Sequence, residues 1–413
     1  MAEGRAAAYS GTGIRRRKDV EAIEGIATVV ATVLAAPLVV LTAAFATEVI
    51  VGLTRAAPDP AAASAPVPRS AVIVMPAHDE ATIIAGTLAR LLPELPPGFR
   101  VLVVADNCAD DTAAIAQAAG AEVLRRTDPV RRGKGYALAC ARDHLATAPP
   151  AVVMVLDADG ATDRASLLAM ARAAHDRPVQ AVNLLSPDRS AAPMVQVSNF
   201  AFVIKNLVRQ RGLSRLAGRV NLTGTGMAFP WSVFRDAALA TADIVEDLAL
   251  GLDLARRGLL PRFAAEATVW SAASSAEGTL RQRTRWEGGF LATSRTRALP
   301  AIAAGLRARD PRGIWAGLSL AVPPLTLLLL LDGIGLLLLG LLALAGASPL
   351  PAALLGAALA IALAGLAVAW VRVGRPFLSA GAAARLPLYV LWKIPLYLRL
   401  ATSRPTGWLR AGR

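Results

Sequence analysis

Three stretches of the chain are apolar for long enough to cross a lipid bilayer. Residues 25–53 contain one charged side chain, Glu48, and residues 352–371 contain none. Residues 316–347 contain only Asp332 as a charge. Because a hydrocarbon core about 30 Å thick needs roughly 20 apolar helical residues, each stretch predicts a membrane-spanning helix. The pattern therefore predicts a protein that is embedded in a membrane.

Two details modify the C-terminal part of this prediction. Residues 316–347 contain adjacent prolines, Pro323 and Pro324, where we expect a kink. Residues 384–400 mix leucine, tyrosine and tryptophan with three cations and two prolines. This amphipathic composition favours a helix that lies in the membrane interface, with a third C-terminal span as the alternative.

Between the apolar stretches, residues 70–305 have the texture of an α/β domain, preceded by a Pro/Ala-rich linker at 56–69. Short apolar runs predict strands, and helical patterns separate them. The strands are expected at 71–75, 101–104, 122–124 and 152–156, and the helices at 80–92, up to 119, and 135–146. Strands without polar alternation, separated by helices, predict a mostly parallel sheet covered on both faces. In such open sheets, ligands bind at the carboxyl ends of the strands.

Positive charges predict the orientation of this domain. Arg307, Arg309 and Arg312 precede the second apolar stretch, and Arg372 and Arg375 follow the third. The turn between these two stretches has no cation. Since cytoplasmic flanks carry an excess of arginine and lysine, the domain is expected on the cytoplasmic side of the inner (plasma) membrane of the cell.

The N-terminal segment conflicts with that orientation. Residues 1–24 form a basic tail that contains the run 15–18, and a single span at 25–53 would place this tail outside. Either 25–53 is a re-entrant hairpin, or it spans and the C-terminal charges determine the orientation. The N-terminal topology stays open on the sequence.

Composition and charge agree with membrane embedding. Hydrophobic residues make up 55% of the 413 residues, and the mean hydropathy is +0.48, which is too apolar for a typical soluble protein. The formal net charge is +14. A basic chain can bind nucleic acid, but with long apolar segments present the charge favours contact with anionic lipid, and no nucleic-acid partner is expected.

Acidic side chains follow the fourth predicted strand. Asp157 and Asp159 come directly after the apolar run 152–156. Two carboxylates two residues apart at a strand end can meet a divalent cation that also binds a diphosphate. The pair therefore predicts a metal site, with a solvated loop as the alternative.

Further polar residues occupy comparable positions. Pro76, His78, Asp79 and Glu80 follow the first strand, Asp106 and Asn107 follow the second, and Lys134 lies between glycines before a helix. Turns and helix caps are the simple alternative for the first two groups. A lysine on a glycine-flanked loop can approach a phosphate.

Two later motifs complete the candidate chemistry. Glu246 and Asp247 open a helical run, where a carboxylate is either a helix cap or a general base. Gln282, Arg285 and Trp286 lie within about one helical turn. The indole can stack on a sugar ring while the arginine binds phosphate, and an interfacial helix with a tryptophan anchor is the alternative.

In their order, these motifs resemble those of the membrane-bound family 2 glycosyltransferases, the branch that includes cellulose, hyaluronan and poly-N-acetylglucosamine synthases. The likeness runs from Pro76 to Trp286, about half of the chain. It implies a GT-A fold and an inverting transfer from a nucleoside-diphosphate sugar, with uridine as the expected base. It also implies Mg²⁺ or Mn²⁺ as cofactor and a growing glycan as acceptor.

The resemblance also implies roles for individual residues. Asp247, beside Glu246, matches the catalytic base of the family's Thr-Glu-Asp motif, and Asp159 is the expected metal ligand together with Asp157. Thr225, Gly226 and Trp286 match the acceptor site. The residues expected to bind the donor are Pro76, His78, Asp79, Glu80, Asp106, Asn107, Lys134, Gln282 and Arg285, together with Asp157, which serves both the donor and the metal.

Two departures from the family pattern keep alternatives open. Val245 stands where the motif has threonine, although Glu246 and Asp247 remain. The membrane part is small beside the bundles that conduct a polymer in cellulose synthases. The alternatives are transfer of one sugar to a lipid-linked acceptor, an export path completed by another subunit, or a non-catalytic scaffold of an export complex.

Overall fold

The computed structural model describes residues 3–54, 64–241, 243, 245–272 and 276–402. The chain divides into two compact units. One combines the N-terminal segment up to Thr47 with Val322–Ala367, and the other combines Glu48–Ala321 with the segment from Val368 onward.

An eight-stranded sheet forms the centre of the second unit. Its strands are β1 (Ala71–Ala77), β2 (Phe99–Asp106), β3 (Glu122–Arg126), β4 (Val152–Val155), β5 (Gly160–Ala161), β6 (Val179–Leu185), β7 (Met227–Pro230) and β8 (Arg262–Ser271). The spatial order is β3-β2-β1-β4-β7-β6-β8-β5. The first four strands pair in parallel, whereas β7 runs antiparallel to both of its neighbours, β4 and β6.

Helices cover both faces of the sheet. Within the second unit they are α2 (Ile84–Leu91), α3 (Thr112–Ala118), α4 (Lys134–Leu145), α5 (Arg164–Ala173), α6 (Pro193–Val203), α7 (Gln210–Ala217), α8 (Trp231–Arg235), α9 (Glu246–Arg256), α10 (Ala276–Ala308) and α11 (Pro311–Ala321). A short 3₁₀ turn (Leu92–Glu94) follows α2, and a π-helix (Ile204–Arg209) joins α6 to α7.

Alternate residues of each strand supply two separate cores. Ile73 and Met75 of β1 pack on the face covered by α2 and α5. Val72 and Val74 pack on the opposite face, against α4 and α9. All four side chains are fully buried, which explains why β1 is apolar without alternation. The predicted α/β sheet with two covered faces is confirmed, and the antiparallel strand β7 is an addition to it.

Three helices are long and apolar enough to cross a membrane: Glu21–Gly52, Leu325–Leu344 and Leu350–Gly374. The first is the apolar part of α1 (Glu3–Gly52), which is continuous through Pro37 and forms no hairpin. The second is α12 (Leu325–Leu344), and the third is α13 (Leu350–Ala369) extended by a π-helix (Trp370–Gly374).

The first unit is built from these apolar helices. Ala31 and Ala35 of α1 pack against Leu339 and Leu355. The buried acid Asp332 is paired, because the hydroxyl of Thr42 lies 2.9 Å from each of its carboxylate oxygens. An acid within an apolar span is costly unless it is paired, so this contact explains how the charge-bearing residue is accommodated.

Prolines divide the C-terminal segments. The stretch 316–347 consists of two helices, because α11 ends at Ala321 and α12 begins at Leu325, after both prolines. The stretch 384–400 holds α15 (Leu386–Trp392, 7 residues) and α16 (Ile394–Thr402, 9 residues), which follow the short α14 (Ala380–Ala383). Neither α15 nor α16 approaches the length of about 20 residues that a span requires.

Candidate active site

A cavity of about 280 Å³ opens at the carboxyl ends of the strands. Its wall includes the ends of β1 and β2, the turn after β4, the start of α9 and part of α10. Most residues that the sequence analysis singled out meet there: Pro76, His78, Glu80, Asp106, Lys134, Asp157, Asp159, Thr225, Glu246, Asp247, Arg285 and Trp286. The structure thus gathers side chains that are up to about 200 residues apart in sequence.

The loops after β1 and β2 are linked to each other. His78 Nδ1 lies 2.7 Å from the carbonyl oxygen of Asp106, and Asp79 Oδ1 accepts a 2.7 Å hydrogen bond from the Ala109 amide. Asp79 and Asn107 both have a positive φ, 54° and 52°, a conformation that aspartate and asparagine tolerate best among residues with side chains. These two residues hold the loops and lie outside the cavity wall.

Asp106 is held at the cavity wall by its neighbours. Its Oδ1 accepts hydrogen bonds from Arg126 Nη1 at 2.5 Å and from Asn107 Nδ2 at 2.9 Å. Asn107 Oδ1 in turn accepts from the Asp128 amide at 2.7 Å. Arg126 also pairs with Asp128, at 3.2 Å. Asn107 therefore positions Asp106, which is itself buried.

His78, Asp79 and Cys108 place potential metal-ligand atoms within 4.8 Å of one another. Hydrogen bonds already join them to the loops: the Asp79 amide lies 3.5 Å from Cys108 Sγ, and Sγ lies 3.5 Å from the Ala77 carbonyl. Burial raises the pKa of the Cys108 thiol, which keeps it neutral. Since hard cations prefer carboxylate oxygens, Asp157 and Asp159 suit Mg²⁺ or Mn²⁺ better than this cluster.

Lys134 lies at the centre of the acidic part of the cavity. Its Nζ donates hydrogen bonds to Asp157 Oδ1 and, at 2.7 Å, to the Gly224 carbonyl. Burial alone lowers the pKa of Lys134, but the charge of Asp157, and that of Glu246 once it is ionised, outweigh that effect and hold the pKa above its ordinary value. The lysine is therefore a permanent cation among several acids.

Glu246 and Asp247 occupy the first turn of α9. Burial, reinforced by the charge of Asp247, raises the pKa of Glu246 to about 8. Burial also raises the pKa of Asp247, although its Oδ1 accepts a 2.7 Å hydrogen bond from the Leu248 amide. A raised carboxyl pKa suits a general base, because the ideal catalytic pKa lies near the operating pH.

The segment 223–226 crosses the end of β4. The buried Gln180 holds it, because Gln180 Oε1 accepts from the Thr223 amide at 2.8 Å and Nε2 donates to the Thr225 carbonyl at 2.8 Å. Thr225 Oγ1 accepts from the Asp157 amide at 3.0 Å. The segment therefore fixes the backbone at the first residue of the acid pair.

Gly224 brings this segment close to the Glu-Asp pair. Its φ is 83°, and a methyl group added there would lie 3.2 Å from Asp247 Oδ2 and 3.5 Å from Lys134 Nζ. A methyl group at this position would crowd the Asp247 carboxylate and touch the Lys134 ammonium at ordinary contact distance. Gly226 also has a positive φ, 68°, and lies outside the cavity wall.

Arg285 and Trp286 enter from α10. The Trp286 indole stacks on Phe202, with ring centroids 5.8 Å apart and an angle of 26° between the planes. Burial lowers the pKa of Arg285, while Glu246 and Asp157 act in the opposite direction. The guanidinium thus faces the same acids as Lys134. The side chain of Gln282, the first residue of that motif, lies outside the described residues.

A family model described as glycosyltransferase-like family 2 matches residues 68–289, which is more than half of the chain. The chain belongs to family 2 of the glycosyltransferases. It is therefore a hexosyltransferase-type enzyme, and the matched residues include every strand of the sheet and the cavity motifs from Pro76 to Trp286.

Known proteins add detail to this assignment. Uncharacterized glycosyltransferases of Mycobacterium tuberculosis and Mycobacterium bovis are 37% identical to the chain over 95 residues, 23% of this chain and 39% of theirs. The chain thus spans about two-fifths of the length of these relatives.

Among solved structures, the chain is similar to the mannosyltransferase of Pyrobaculum calidifontis in complex with GDP-Man and Mn²⁺. The structural match covers 89% of this chain and 99% of the mannosyltransferase. The TM-score is 0.53 at 19% identity, a likeness of fold. Glucosyl-3-phosphoglycerate synthase of M. tuberculosis, at 18% identity, covers 54% of this chain and 80% of its own, with a TM-score of 0.36. The GT-A fold that the sequence predicts is confirmed for this family 2 enzyme.

The cavity also has a wall that the sequence motifs do not mark. Asn183 lies on β6, Phe202 lies on α6, and the π-helix supplies Lys205, Asn206 and Arg209. Polar residues within the otherwise apolar run 195–208 were the available signal. Without the fold, they resemble the polar face of an ordinary helix.

Proposed function

We propose that this family 2 enzyme transfers a sugar, with inversion, from a nucleoside-diphosphate sugar to a hydroxyl group of a growing glycan at the cytoplasmic membrane face. One observation carries the proposal. The acid pair after β4 and the Glu-Asp pair of α9 line one cavity, and Lys134 is close to both. One cavity therefore holds one acid pair that could bind a metal ion at the donor and another acid pair that could activate the acceptor.

The donor half of the cavity suits a diphosphate. Asp157 and Asp159 would hold Mg²⁺ or Mn²⁺, and the side chain of Asp157 is 41% exposed at the cavity. The ion, when bound, would neutralise the charge that develops on the leaving diphosphate. Lys134 and Arg285 add permanent cations beside it. The P. calidifontis neighbour, solved with GDP-Man and Mn²⁺, supports a donor of this class.

Asp247 is the proposed general base. It would accept the proton of the acceptor hydroxyl, whose oxygen bonds to the anomeric carbon of the donor sugar. The bond from that carbon to the diphosphate breaks, and its electron pair leaves with the diphosphate. Attack on the face opposite the leaving group inverts the anomeric centre. With a pKa of about 8, Glu246 keeps its proton at neutral pH and adds no further negative charge.

The acceptor half combines aromatic and membrane features. The stacked Trp286 and Phe202 offer an apolar face to a sugar ring. Three helices that are long enough to span a membrane support a product made at the bilayer. The cation clusters near 307–312 and 372–375 favour the cytoplasmic face.

Protease protection tests this orientation. Protease added outside intact spheroplasts should leave the catalytic domain uncut, and cleavage of that domain would contradict the cytoplasmic orientation.

A donor panel tests the proposed reaction. The purified full-length protein receives radiolabelled UDP- and GDP-sugars with Mg²⁺ or Mn²⁺, and the products are sized. Transfer of label to a long glycan supports the proposal, and a product with a single added sugar on a lipid supports the lipid alternative. Absence of transfer from every donor would contradict the proposed reaction. NMR of the product's anomeric centre distinguishes inversion from retention.

A further inference from the structure

A rare backbone conformation shapes the part of the cavity wall that the sequence motifs do not mark. The π-helix Ile204–Arg209 interrupts the helical run between α6 and α7. Such single π-turns are uncommon and occur frequently at functional sites, because the extra residue redirects side chains. Here Lys205, Asn206 and Arg209 all reach the cavity wall.

Neighbours of Asn206 in this segment have partners that anchor them. Arg209 Nε bonds to the fully buried Glu48 at 2.7 Å. Gln210 Nε2 donates to the Asn221 carbonyl at 2.6 Å, and Gln210 Oε1 accepts from the Asn221 amide at 3.1 Å. The π-helix is therefore fixed at its C-terminal end.

Asn206 differs from these anchored residues. Its side chain is 2% exposed and lines the cavity, yet neither polar atom of its carboxamide has a hydrogen-bonding partner among the residues that the structure describes. Leaving such a buried group without hydrogen bonds destabilises the folded protein. Buried polar groups of this kind need an explanation, and for a group on a cavity wall a ligand in the cavity can supply the missing hydrogen bonds.

Asn183 repeats the pattern on the neighbouring wall. It is buried, and its Nδ2 bonds weakly to Thr223, at 3.3 Å to the carbonyl and 3.4 Å to the hydroxyl. Its Oδ1 has no partner within the described part of the chain. Because Thr223 precedes Gly224, Asn183 is tied to the segment that borders Lys134 and Asp247.

We infer that Asn206 and Asn183 form a subsite that binds hydroxyl groups of a sugar ring and so helps to determine sugar specificity. A carboxamide both donates and accepts hydrogen bonds and carries no charge, which matches a hydroxyl group better than a phosphate. The inference rests on the proposed transferase function. The hydroxyls belong either to the donor sugar or to the acceptor sugar, and kinetics separates these two sources.

The test compares Asn206→Leu with Asn199→Leu in the full-length protein. Asn199 is a matched control, because it is also 2% exposed with an unpartnered Nδ2 among the described residues, lies on the preceding helix, and is absent from the cavity wall. Asn206→Leu should lower kcat/KM about ten- to a hundredfold for the nucleotide sugar that the wild-type enzyme uses. Affinity for free UDP or GDP, measured by calorimetry, should not change.

Stability supplies an independent readout. Leucine fills the volume of asparagine and removes an unsatisfied amide, so the melting temperature of Asn206→Leu should equal or exceed that of wild type. If the variant does not fold, Asn206→Ala replaces it with the same expected kinetic loss. A changed rate of donor hydrolysis without acceptor assigns the hydroxyls to the donor, and a raised acceptor KM alone assigns them to the acceptor.

Failure of the inference and failure of the proposed function give different results. A wild-type protein that transfers no sugar contradicts the proposed function. A wild-type protein that transfers sugar, with an Asn206→Leu variant whose kcat/KM values match those of wild type and Asn199→Leu, overturns the subsite alone.

Discussion

Lys134 and Asp157 form an ion pair at the cavity wall, in which the lysine ammonium donates a hydrogen bond to Asp157 Oδ1. The same ammonium bonds to the Gly224 carbonyl, on the segment that borders Asp247. One cation thus connects the turn after β4 with the wall near the proposed base. Much of the chemistry expected of this site depends on that connection.

Replacement of this cation should weaken donor use. Lys134→Gln removes the positive charge nearest the acid pair, and charged hydrogen bonds of this kind contribute about 1.5–3 kcal/mol. We expect kcat/KM for the nucleotide sugar to fall roughly 10- to 100-fold, mainly through a higher KM. Arg132→Gln is the control, since Arg132 is exposed on the loop just before α4, the helix that begins at Lys134. Equal kcat/KM values for the two variants would show that Lys134 takes no part in donor binding.

Chelation of divalent metal should stop transfer. EDTA should abolish activity, and added Mg²⁺ or Mn²⁺ should restore it, because a hard cation is expected on Asp157 and Asp159. In Asp159→Asn, restoration should need far more metal. Asp143→Asn, at an exposed residue, should titrate like wild type. Transfer that continues in EDTA would contradict the metal assignment.

The buried acid Glu246 should make stability depend on pH. Its pKa is about 8 in the folded protein, against 4.5 for an ordinary glutamate, so the folded state retains a proton that the unfolded state loses. The free energy of unfolding should therefore fall as pH rises from about 5 to 8.

Glu246→Gln removes this proton uptake. The melting temperature of the variant, relative to wild type, should rise between pH 5 and pH 8 in thermal melts and level off at higher pH. Glu266→Gln, at an exposed glutamate of β8, should show no such trend. A difference between Glu246→Gln and wild type that is the same at every pH would show that Glu246 has no raised pKa.

An alanine substitution at Gly224 tests whether a side chain there disturbs the charged groups, apart from the cost of backbone strain. Gly224→Ala adds a methyl group 3.2 Å from Asp247 Oδ2 at a positive φ. Gly258→Ala is a matched control, because its φ is +80° and no atom lies within 4 Å of the added methyl. Each variant should lose about 1 kcal/mol of stability from the left-handed backbone. Only Gly224→Ala should also lose activity, and equal activities would show that the methyl does not disturb the charged groups.

The sequence predicted the parts of the fold that depend on local pattern. Strands β1, β2 and β4 contain continuous apolar runs because both of their faces are buried, whereas the edge strand β3 has only Val123 and Leu124 as apolar residues. The remaining strands escaped prediction for physical reasons. β5 has two residues and β7 has four, and β8 pairs with β6 through a register shift between Ala181 and Val182. Their pairing is non-local and leaves little periodicity in the sequence.

The candidate site shows the same division. Asp157, Asp159 and Asp247 were predictable, since each follows a strand or opens a helix. The Asp106–Arg126 pair was not, because its two members are 20 residues apart in sequence. Asn206, whose carboxamide has no hydrogen-bonding partner among the described residues, was not either, because polar residues in an apolar run resemble the polar face of an ordinary helix. Only their burial in the folded structure distinguishes such residues from ordinary surface polar residues.

The most direct measurement is sugar transfer by Asp247→Asn beside Asp253→Asn. Both residues lie on α9, but Asp253 pairs with Arg256 and Arg297 away from the cavity. With a nucleotide sugar that wild type uses, Asp247→Asn should lose about 10²- to 10⁴-fold in kcat while UDP or GDP still binds, and Asp253→Asn should keep wild-type turnover. Turnover by Asp247→Asn at the wild-type rate would contradict its role as the base that activates the acceptor.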